Sequence, residues 1–377
     1  MNGTHGDAVG PAGGGSRAAA CDDGRVSAGA PARDLVLAMD LGGTKALSGV
    51  FCVRRDAAGV RSDAPCAEPV FELRQRCDDH PDLVSLLDTF FTQAQAAGHL
   101  DAGRPAGACI ALAGPVQGDR ARLTNRPWTV DADALRRRFG LDRVRLVNDF
   151  AGAAAGVEML GPEGTRCLQA GVPDDRRPRA VLGPGTGLGV ALLVPQDGGW
   201  RVVPGEGGHM GFAPRSPLEV ELWRFLFGRG ARVDAERLLC GPGLSALDAF
   251  LRGRAGDDAP LRTPETISAR AAAGEACAGE ALDLFAAMLG AFAGDVALLA
   301  GAQGGVYVAG GMAPRVLDAR RSDLFVTAFR DKGGHAAMTA QMPVHLVLDA
   351  RLGLLGAARM AADDAARQTS ADRSASG

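Results

Sequence analysis

Apolar and polar positions follow two periods along the chain, and each period predicts a different element. Five short apolar runs in the first half predict strands, at residues 35–39, 46–53, 71–77, 109–113 and 144–147. Residues 81–97 instead carry apolar side chains at helical spacing, with Pro81 suited to the first turn, and a second helix is predicted from Phe150. This order predicts an α/β layer that opens with antiparallel strands.

The second half of the chain repeats this order of elements. Its predicted strands lie at residues 180–182, 189–194, 200–203, 306–309 and 344–348. Its predicted helices lie at residues 217–227, 235–239, 244–252, 280–299 and 352–361. Each half opens with a glycine-rich hairpin between two apolar strands, so we predict two related lobes with a cleft between them.

Length and charge narrow the class of protein. The chain has 377 residues, enough for two or three domains, and its hydrophobic share of 46% excludes wholesale disorder. The 41 basic and 44 acidic side chains nearly balance, which argues against a nucleic-acid partner or a polybasic membrane contact. Residues 296–314 lack charge over a membrane-spanning length, but five glycines and Gln303 interrupt them. We therefore expect a helix running into a glycine-broken strand, and no membrane segment.

Cysteine and lysine usage adds two exclusions. The eight cysteines form no Cys-x-x-Cys pair, and residues 1–33 hold no apolar signal core, which predicts reduced thiols in a cytoplasmic protein. Lysine occurs only at Lys45 and Lys332, and neither follows a glycine, so the Gly-Lys-Ser/Thr motif of a P-loop is excluded. A nucleotide phosphate would have to be held by backbone amides and a cation.

The first hairpin turn carries Asp40, Gly42, Gly43 and Thr44 in one short run. Glycines there can adopt positive φ and let backbone N–H groups approach an anion, and the Thr44 hydroxyl adds a donor. Asp40, at the strand end, could hold a hydrated Mg²⁺ against phosphate oxygens. On these residues alone, an ordinary turn with a solvated aspartate explains the motif equally well.

Two further glycine-rich turns could contact a nucleotide. The hairpin of the second half forms a predicted anion cradle from Gly183, Gly185, Thr186 and Gly187. It is not the dinucleotide fingerprint, because the spacing differs and no helix follows. Gly310 and Gly311 follow a later apolar strand and would let a flat ring such as adenine lie on the backbone, although a plain strand-to-helix turn explains them as well.

Five polar side chains are candidates for sugar chemistry. Asn148 and Asp149 end a predicted strand, where a carboxylate points into the ligand crevice of an open sheet and could take a hydroxyl proton. Capping of the next helix is the alternative for both. Glu206 and His209 share a glycine-rich loop and suit vicinal hydroxyls, although His209 could bind a metal or a loop carbonyl instead. Glu236 could bind sugar or serve only as a first-turn acid of a helix.

Together the motifs resemble the bacterial glucokinase family, ATP-dependent hexose kinases of the hexokinase/actin-like superfamily, over about residues 35–360. The matching segments are residues 40–44, 123–128, 147–150, 183–189, 204–209, 235–243 and 308–315. The resemblance implies a two-lobed, actin-like ATPase (ribonuclease H-like) α/β fold with mixed sheets and an active site in the interdomain cleft. We expect a small domain at residues 34–159 plus 350–362 and a large domain at 160–349. Residues 1–33 are expected to form a disordered tail and 363–377 a frayed one.

The resemblance also implies the chemistry. The substrates would be glucose and ATP, with Mg²⁺ as cofactor, and the protein would be a homodimer. The general base would fall on Asp149, and the sugar ligands on Asn148, Glu206, His209 and Glu236. The phosphates would be held at residues 40–44 and 183–189, and the adenosine at Gly310 and Gly311.

Two departures and three rival functions accompany the resemblance. Many relatives continue the first turn with Asn-Ala-Arg, whereas this chain has Lys45, Ala46 and Leu47, which puts one polar contact near the cleft in doubt. The zinc motif of the ROK sugar kinases needs cysteines soon after His209, and none occurs before Cys240, so no zinc is expected. The rivals are a same-fold kinase for another hexose, one that uses polyphosphate, and a catalytically silent sugar-sensing regulator.

Overall fold

The structure is a computed structural model. It describes residues 35–55, 61–66, 68–100, 105–196, 199–230, 232–257 and 259–375. The tail predicted at residues 1–33 lies outside the described residues.

The first half of the chain builds a six-stranded mixed sheet and a small three-stranded one. Its strands are β1 (Leu35–Leu41), β2 (Lys45–Arg55), β3 (Arg61–Pro65), β4 (Phe71–Arg76), β5 (Gly107–Leu112), β6 (Val116–Gln117), β7 (Arg120–Arg122), β8 (Thr129–Asp131) and β9 (Arg143–Asn148). The main sheet has the order β3-β2-β1-β5-β9, with β4 also paired to β2. The hairpin strands run antiparallel, whereas β1, β5 and β9 run parallel. The predicted antiparallel opening of an α/β layer is confirmed.

Three helices accompany these strands, namely α1 (Leu83–Ala96), α2 (Ala132–Phe139) and α3 (Asp149–Gly156). The side chain of Asp82 accepts a hydrogen bond from the backbone N–H of Ser85 at 2.8 Å and so caps α1. Pro81 therefore lies before the cap and outside the helix, and its predicted place in the first turn is wrong. An aspartate carboxylate satisfies a free N–H at the helix start, and proline offers no such acceptor.

The second half builds another six-stranded mixed sheet. Its strands are β10 (Thr165–Gln169), β11 (Arg179–Pro184), β12 (Leu188–Gln196), β13 (Gly199–Gly205), β14 (Gly305–Val308) and β15 (Val344–Val347), in the order β10-β15-β14-β11-β12-β13. Again an antiparallel meander, β11-β12-β13, is followed by parallel strands, β14 and β15. The two main sheets thus share one arrangement, as the repeated order of elements predicts.

The helices of the second half are α4 (Pro217–Phe227), α5 (Gly241–Arg254), α6 (Pro264–Ala272), α7 (Ala276–Ala300), α8 (Ala313–Val316), α9 (Ala319–Arg330), α10 (Ala336–Thr339) and α11 (Leu352–Ala375). The helix predicted at residues 235–239 is wrong, because that segment consists of turns. The backbone N–H groups of Ala235 and Glu236 donate to the carbonyls of Met210 and Gly208 at 2.9 and 2.8 Å. The segment cannot continue as a helix, because Cys240 directly after it is extended and caps the start of α5.

Helix α7 is the core helix of the second lobe. By length and composition it is the one helix among the described residues that could cross a membrane. Its apolar residues, however, pack in a cluster with α5, α6 and α9, with Phe285 and Leu289 fully buried. It ends at Ala300, with Gly301 in the left-handed region at φ 59°, and β14 follows. The predicted helix running into a glycine-broken strand is confirmed.

The last helix returns to the first lobe and joins the two halves. Helix α11 packs on the first sheet and on α3, and at their crossing a Cβ on Gly356 would lie only 1.7 Å from the carbonyl oxygen of Gly152. This helix ends at Ala375, within the region predicted to fray. Asp363 and Asp364 form ion pairs with Arg359 and Arg145 at 3.0 and 3.4 Å, and fraying of residues 363–377 stays a prediction.

Candidate active site

The acidic candidates lie at one edge of the first sheet. Asp40 is the penultimate residue of β1, and Asn148 is the last residue of β9. The register places Leu41 beside Leu112 of β5, and Leu112 beside Asn148. Because these three strands run parallel, Asp40 and Asn148 lie at their common carboxyl edge, the position at which open α/β sheets bind ligands.

Asp40 is held in an unfavourable setting for a charged group. Burial, and then the negative charge of Asp149, raise the pKa of the Asp40 carboxyl to about 6. Its carboxylate also lies against the first turn of α11, where a Cβ on Gly353 would be 2.6 Å from Oδ2. Gly353 was absent from the sequence-based site. In the sequence, Gly353 is distinguished only by its position in the first turn of a predicted helix.

Asn148 and Asp149 form the junction between β9 and α3. The side chain of Asn148 accepts a hydrogen bond from the Phe150 N–H at 2.9 Å and caps α3, and Asp149 Oδ1 accepts from the same N–H at 2.9 Å. The capping alternative is therefore correct for Asn148 and leaves its amide nitrogen to other partners. Burial raises the pKa of Asp149, and hydrogen bonds from the backbone and Asn148 oppose that shift.

The first predicted phosphate turn is shaped by its neighbours. Gly42 N–H donates to the Lys45 carbonyl at 3.0 Å, and Thr44 and Lys45 are exposed. Gly42 and Gly43 are not among the described glycines with positive φ, so the left-handed conformation open to glycine is not used in this turn. A side chain at Gly43 would instead press on Asn125, 3.2 Å from its Cβ. Glycine suits these two positions because neighbouring groups approach the backbone closely, and not because the turn needs a positive φ.

Arg126 anchors this turn from the side, which the sequence-based prediction missed. Its Nε donates to the Gly43 carbonyl, and its Nη2 pairs with Asp78. Its guanidinium lies 5.3 Å from the ring centroid of Trp128, and the side chain is only 15% exposed. Residues 123–128 thus pack over the turn. Leu47, which replaces the usual arginine, is buried in the core and adds no charge to the site.

The second predicted phosphate loop adjoins the start of α5. Gly185 N–H donates to the Gly187 carbonyl at 2.8 Å, and Gly241 N–H, in the first turn of α5, donates to the Gly185 carbonyl at 2.9 Å. A Cβ on Gly187 would lie 2.5 Å from Oε2 of Glu236. The same oxygen accepts a hydrogen bond from Leu188 N–H at 2.8 Å. Glu236, predicted as a sugar ligand, therefore supports the phosphate loop.

The predicted adenosine turn contacts this phosphate loop directly. A Cβ on Gly183 would lie 2.3 Å from the Ala309 carbonyl oxygen, and one on Gly310 would lie 2.5 Å from that of Pro184. Gly310 has φ 84°, which favours glycine, whereas nothing lies within 4 Å of the Cβ position on Gly311. The structure thus brings the predicted phosphate and adenosine segments together.

The sugar loop presents Glu206 and His209 at the surface. His209 Nδ1 lies 3.2 Å from Oδ2 of Asp234. The hydrogen bond to Asp234, followed by the charges of Glu236, Asp234 and Glu206, raises the pKa of His209. Asp234 was missed because it is one of many aspartates in the chain. Within the described ranges, no group of three or more His, Cys, Asp or Glu side chains could hold a metal ion.

A pocket of about 420 Å³ lies between the edge strands β9 and β13. Asn148 and Glu206 line it, together with Gly205 and the segment 114–116. This volume falls within the range of small-molecule sites. His209 and Glu236 do not line this pocket; they lie on the side of the phosphate loop. We call this the sugar pocket.

Two α/β lobes, each with an antiparallel meander that leads into parallel strands, have the architecture of sugar kinases with the actin-like ATPase fold. The family model for glucokinase matches residues 37–364. A glucokinase of Chromobacterium violaceum is 40% identical over 285 residues, covering 75% of this chain and 80% of that protein. The chain belongs to the glucokinase family.

Solved structures agree with this assignment. A glucokinase from an Antarctic psychrotroph is 30% identical, with a TM-score of 0.74 over 87% of this chain and 98% of that one. A ROK family glucokinase from Streptomyces griseus, in complex with glucose and AMPPNP, is 22% identical, with a TM-score of 0.54 over 87% of this chain and 99% of that one. The second likeness shows the fold. The predicted fold class is confirmed.

Proposed function

We propose that this protein phosphorylates D-glucose with ATP, giving glucose 6-phosphate and ADP, and that Asp149 is its general base. Membership of the glucokinase family supports the reaction. The single observation that supports the base is the position of Asp149. It directly follows Asn148 at the carboxyl edge of the first sheet, and the ring of the next residue, Phe150, occupies the space that a side chain on Gly189 of the second glycine-rich hairpin would need. Burial also raises the pKa of Asp149.

The chemical step asks the protein for position and charge. Asp149 accepts the proton of the sugar 6-hydroxyl as that oxygen attacks the terminal phosphorus of ATP. A raised pKa makes the carboxylate a stronger base than an ordinary aspartate. The backbone N–H groups of the two glycine turns bind the phosphates, and Asn148 with Glu206 orients the sugar in the sugar pocket.

The residues present fit a Mg²⁺ ion. Asp40 and Asp149 are two carboxylates whose repulsion contributes to the raised pKa of Asp40, and a divalent cation would relieve it. Mg²⁺ in kinases is held by one or two carboxylates together with substrate phosphates, so a three-residue protein cage is not needed. Asp40 would hold the ion, through water. When bound, it neutralises charge that develops on the phosphate oxygens.

His209 and Glu236 complete the proposed sugar ligands from the second lobe. The Glu236 side chain accepts a hydrogen bond from Leu188 N–H beside the phosphate loop. The backbone N–H of Glu236 donates to the carbonyl of Gly208, the residue before His209, at 2.8 Å. Closure of the lobes on glucose would bring them to the sugar pocket and exclude water from the transfer. Because Glu236 is also bonded to Leu188, its contact with the sugar would couple sugar binding to the geometry of the phosphate loop.

We further propose a cytoplasmic homodimer. The ATP that the proposed reaction consumes supports the location. An exposed apolar face on α4 supports a dimer, because Phe227 is 56% exposed and stacks on Trp223 with ring centroids 4.8 Å apart. Light scattering of the wild type and of Phe227→Glu tests it. A monomeric wild type would contradict the dimer.

ADP release with a panel of sugars and two phosphate donors tests the function. We expect glucose with ATP to give the highest kcat/KM. A higher value with another hexose, or with polyphosphate, would favour a rival kinase. Glucose binding without any ADP release would favour a sugar-sensing regulator.

A further inference from the structure

The groove between the lobes continues beyond the sugar pocket. Arg145 lies three residues before Asn148 on the edge strand β9, which places it about 10 Å back along the strand. There the groove opens into a second pocket of about 810 Å³, which we call the hinge pocket. Its walls come from β9, from the end of α3, from β13 and from α11. It therefore contacts both lobes and both of the helices that join them.

Positive charge dominates the lining of the hinge pocket. Four arginines face it, against two carboxylates, Glu158 and Asp363. Arg359 contacts both of these carboxylates, at 3.1 and 3.0 Å, and so neutralises them in part. The remaining three lining arginines are Arg145, Arg201 and Arg367.

Arg201 and Arg367 carry the positive charge of the pocket that no described carboxylate balances. Arg145, by contrast, is paired with Asp364 at 3.4 Å, and Arg143 lies 3.9 Å from the same carboxylate. Arg201 and Arg367 have no ion-pair partner within the ranges that the structure describes, and both are exposed. The spacing of Arg359, Asp363 and Arg367 at every fourth residue places them on one face of α11. The pocket therefore offers cationic groups to an anion from α11 and from β13.

The floor of the hinge pocket is apolar. Leu193 and Met360 are buried, and Ala155 and Val202 lie beside them. Trp200 also lines the pocket, with the Arg179 guanidinium 4.1 Å from its ring centroid. A concave site with an apolar floor and a few charged groups is typical of small-molecule sites. Arginine at the rim is the residue best suited to phosphate.

We propose that the hinge pocket binds a phosphate-bearing small molecule whose carbon body lies on the floor and whose phosphate meets Arg201 and Arg367. Such a ligand contacts both lobes, so its affinity changes when their separation changes. By linkage, it alters glucose affinity by the same factor by which glucose alters its own. This coupling rests on the proposed glucose kinase function, whereas the binding itself does not.

Calorimetric titration with 2-naphthyl phosphate tests the site, with 2-naphthol as the matched ligand without phosphate. The test variant is Arg201→Glu with Arg367→Glu. The control variant is Arg74→Glu with Arg137→Glu, which reverses two exposed charges on the first lobe away from the pocket. Thermal melts and the kcat of each variant without the probe show whether fold and kinase function are intact.

We expect one 2-naphthyl phosphate to bind per chain, with affinity at least tenfold lower in the test variant and unchanged in the control. 2-Naphthol should bind at least tenfold more weakly than 2-naphthyl phosphate. Saturating glucose should change the dissociation constant of the probe about threefold or more. Absence of binding by the wild type, or equal binding by the test variant, overturns the site. If the dissociation constant of 2-naphthyl phosphate is the same with and without glucose, the coupling is wrong. A normal kcat in that case shows that the proposed kinase function is unaffected.

Discussion

The carboxylate of Glu236 accepts a hydrogen bond from the backbone N–H of Leu188, with 2.8 Å between Oε2 and N. Leu188 directly follows the glycine-rich loop, and the same carboxylate occupies the space that a side chain on Gly187 would need. A residue proposed to bind the sugar thereby fixes a loop proposed to bind the phosphates. The two substrates of the proposed reaction share this one support.

Replacement of Glu236 should therefore affect both substrates. A charged hydrogen bond contributes about 1.5–3 kcal/mol, so Glu236→Ala should raise the KM for ATP and the KM for glucose by about tenfold or more. Glu236→Gln keeps an acceptor for Leu188 N–H and should raise the KM for ATP much less. Steady-state kinetics with each substrate varied gives both values. An effect of Glu236→Ala on glucose alone would contradict the shared support.

Replacement of Asp40 should increase the stability of the fold and abolish activity. Its pKa of about 6 in the folded protein lies above the ordinary value of 3.8, so the ionised form destabilises the fold near pH 7. This cost declines as pH falls through about 6 and vanishes only below 3.8. Asp40→Asn should abolish turnover and raise the free energy of unfolding at about pH 7 by roughly 1–2 kcal/mol, with a smaller gain at about pH 5. Urea unfolding at both pH values measures it. A variant less stable than the wild type at neutral pH would refute this account.

Gly353 should matter because of Asp40. Gly353→Ala places a methyl group 2.6 Å from the Asp40 carboxylate and should lower kcat by about tenfold or more through displacement of that group. Gly279→Ala is the matched control, since it lies in α7 with nothing within 4 Å of its Cβ position. The control should keep its kcat and gain up to about 1 kcal/mol of stability. Unchanged kcat in Gly353→Ala would show that Asp40 tolerates the shift.

Arg126 should hold the first phosphate turn. Arg126→Ala removes contacts to the Gly43 carbonyl and to Asp78, and we expect the KM for ATP to rise by about tenfold, with the free energy of unfolding little changed. Arg122→Ala is the control, because Arg122 is exposed at the end of β7, just before the segment that holds Arg126, and it should behave as the wild type. If both variants bind ATP normally, the turn does not depend on Arg126.

The sequence predicted those features that depend on near neighbours in the chain. The helix at residues 217–227 is confirmed at both ends, because Ser216 caps it and its apolar face is regular. The strands and glycine turns of both lobes are likewise local patterns. Their agreement with the structure explains why the fold class was predictable from motifs and periodicity.

Contacts between distant segments could not be predicted in this way. Residues 235–239 look helical, yet they form turns and bends, and the N–H groups of Ala235 and Glu236 bond to the distant loop at Met210 and Gly208. Gly353 and Asp40 are more than 300 positions apart, and so no spacing rule connects them. The same holds for Arg126 and Gly43. The predicted roles of Asp149 and the sugar ligands stay predictions until they are measured.

Turnover of Asp149→Asn tests the central claim most directly. The variant keeps the size and the hydrogen-bonding oxygen at this position but loses the base. We predict that kcat for glucose-dependent ADP formation falls by about 10²–10⁴-fold, while the dissociation constant for glucose, measured by calorimetry, stays within about threefold of the wild-type value. Near-normal kcat with intact glucose binding would show that Asp149 does not accept the proton.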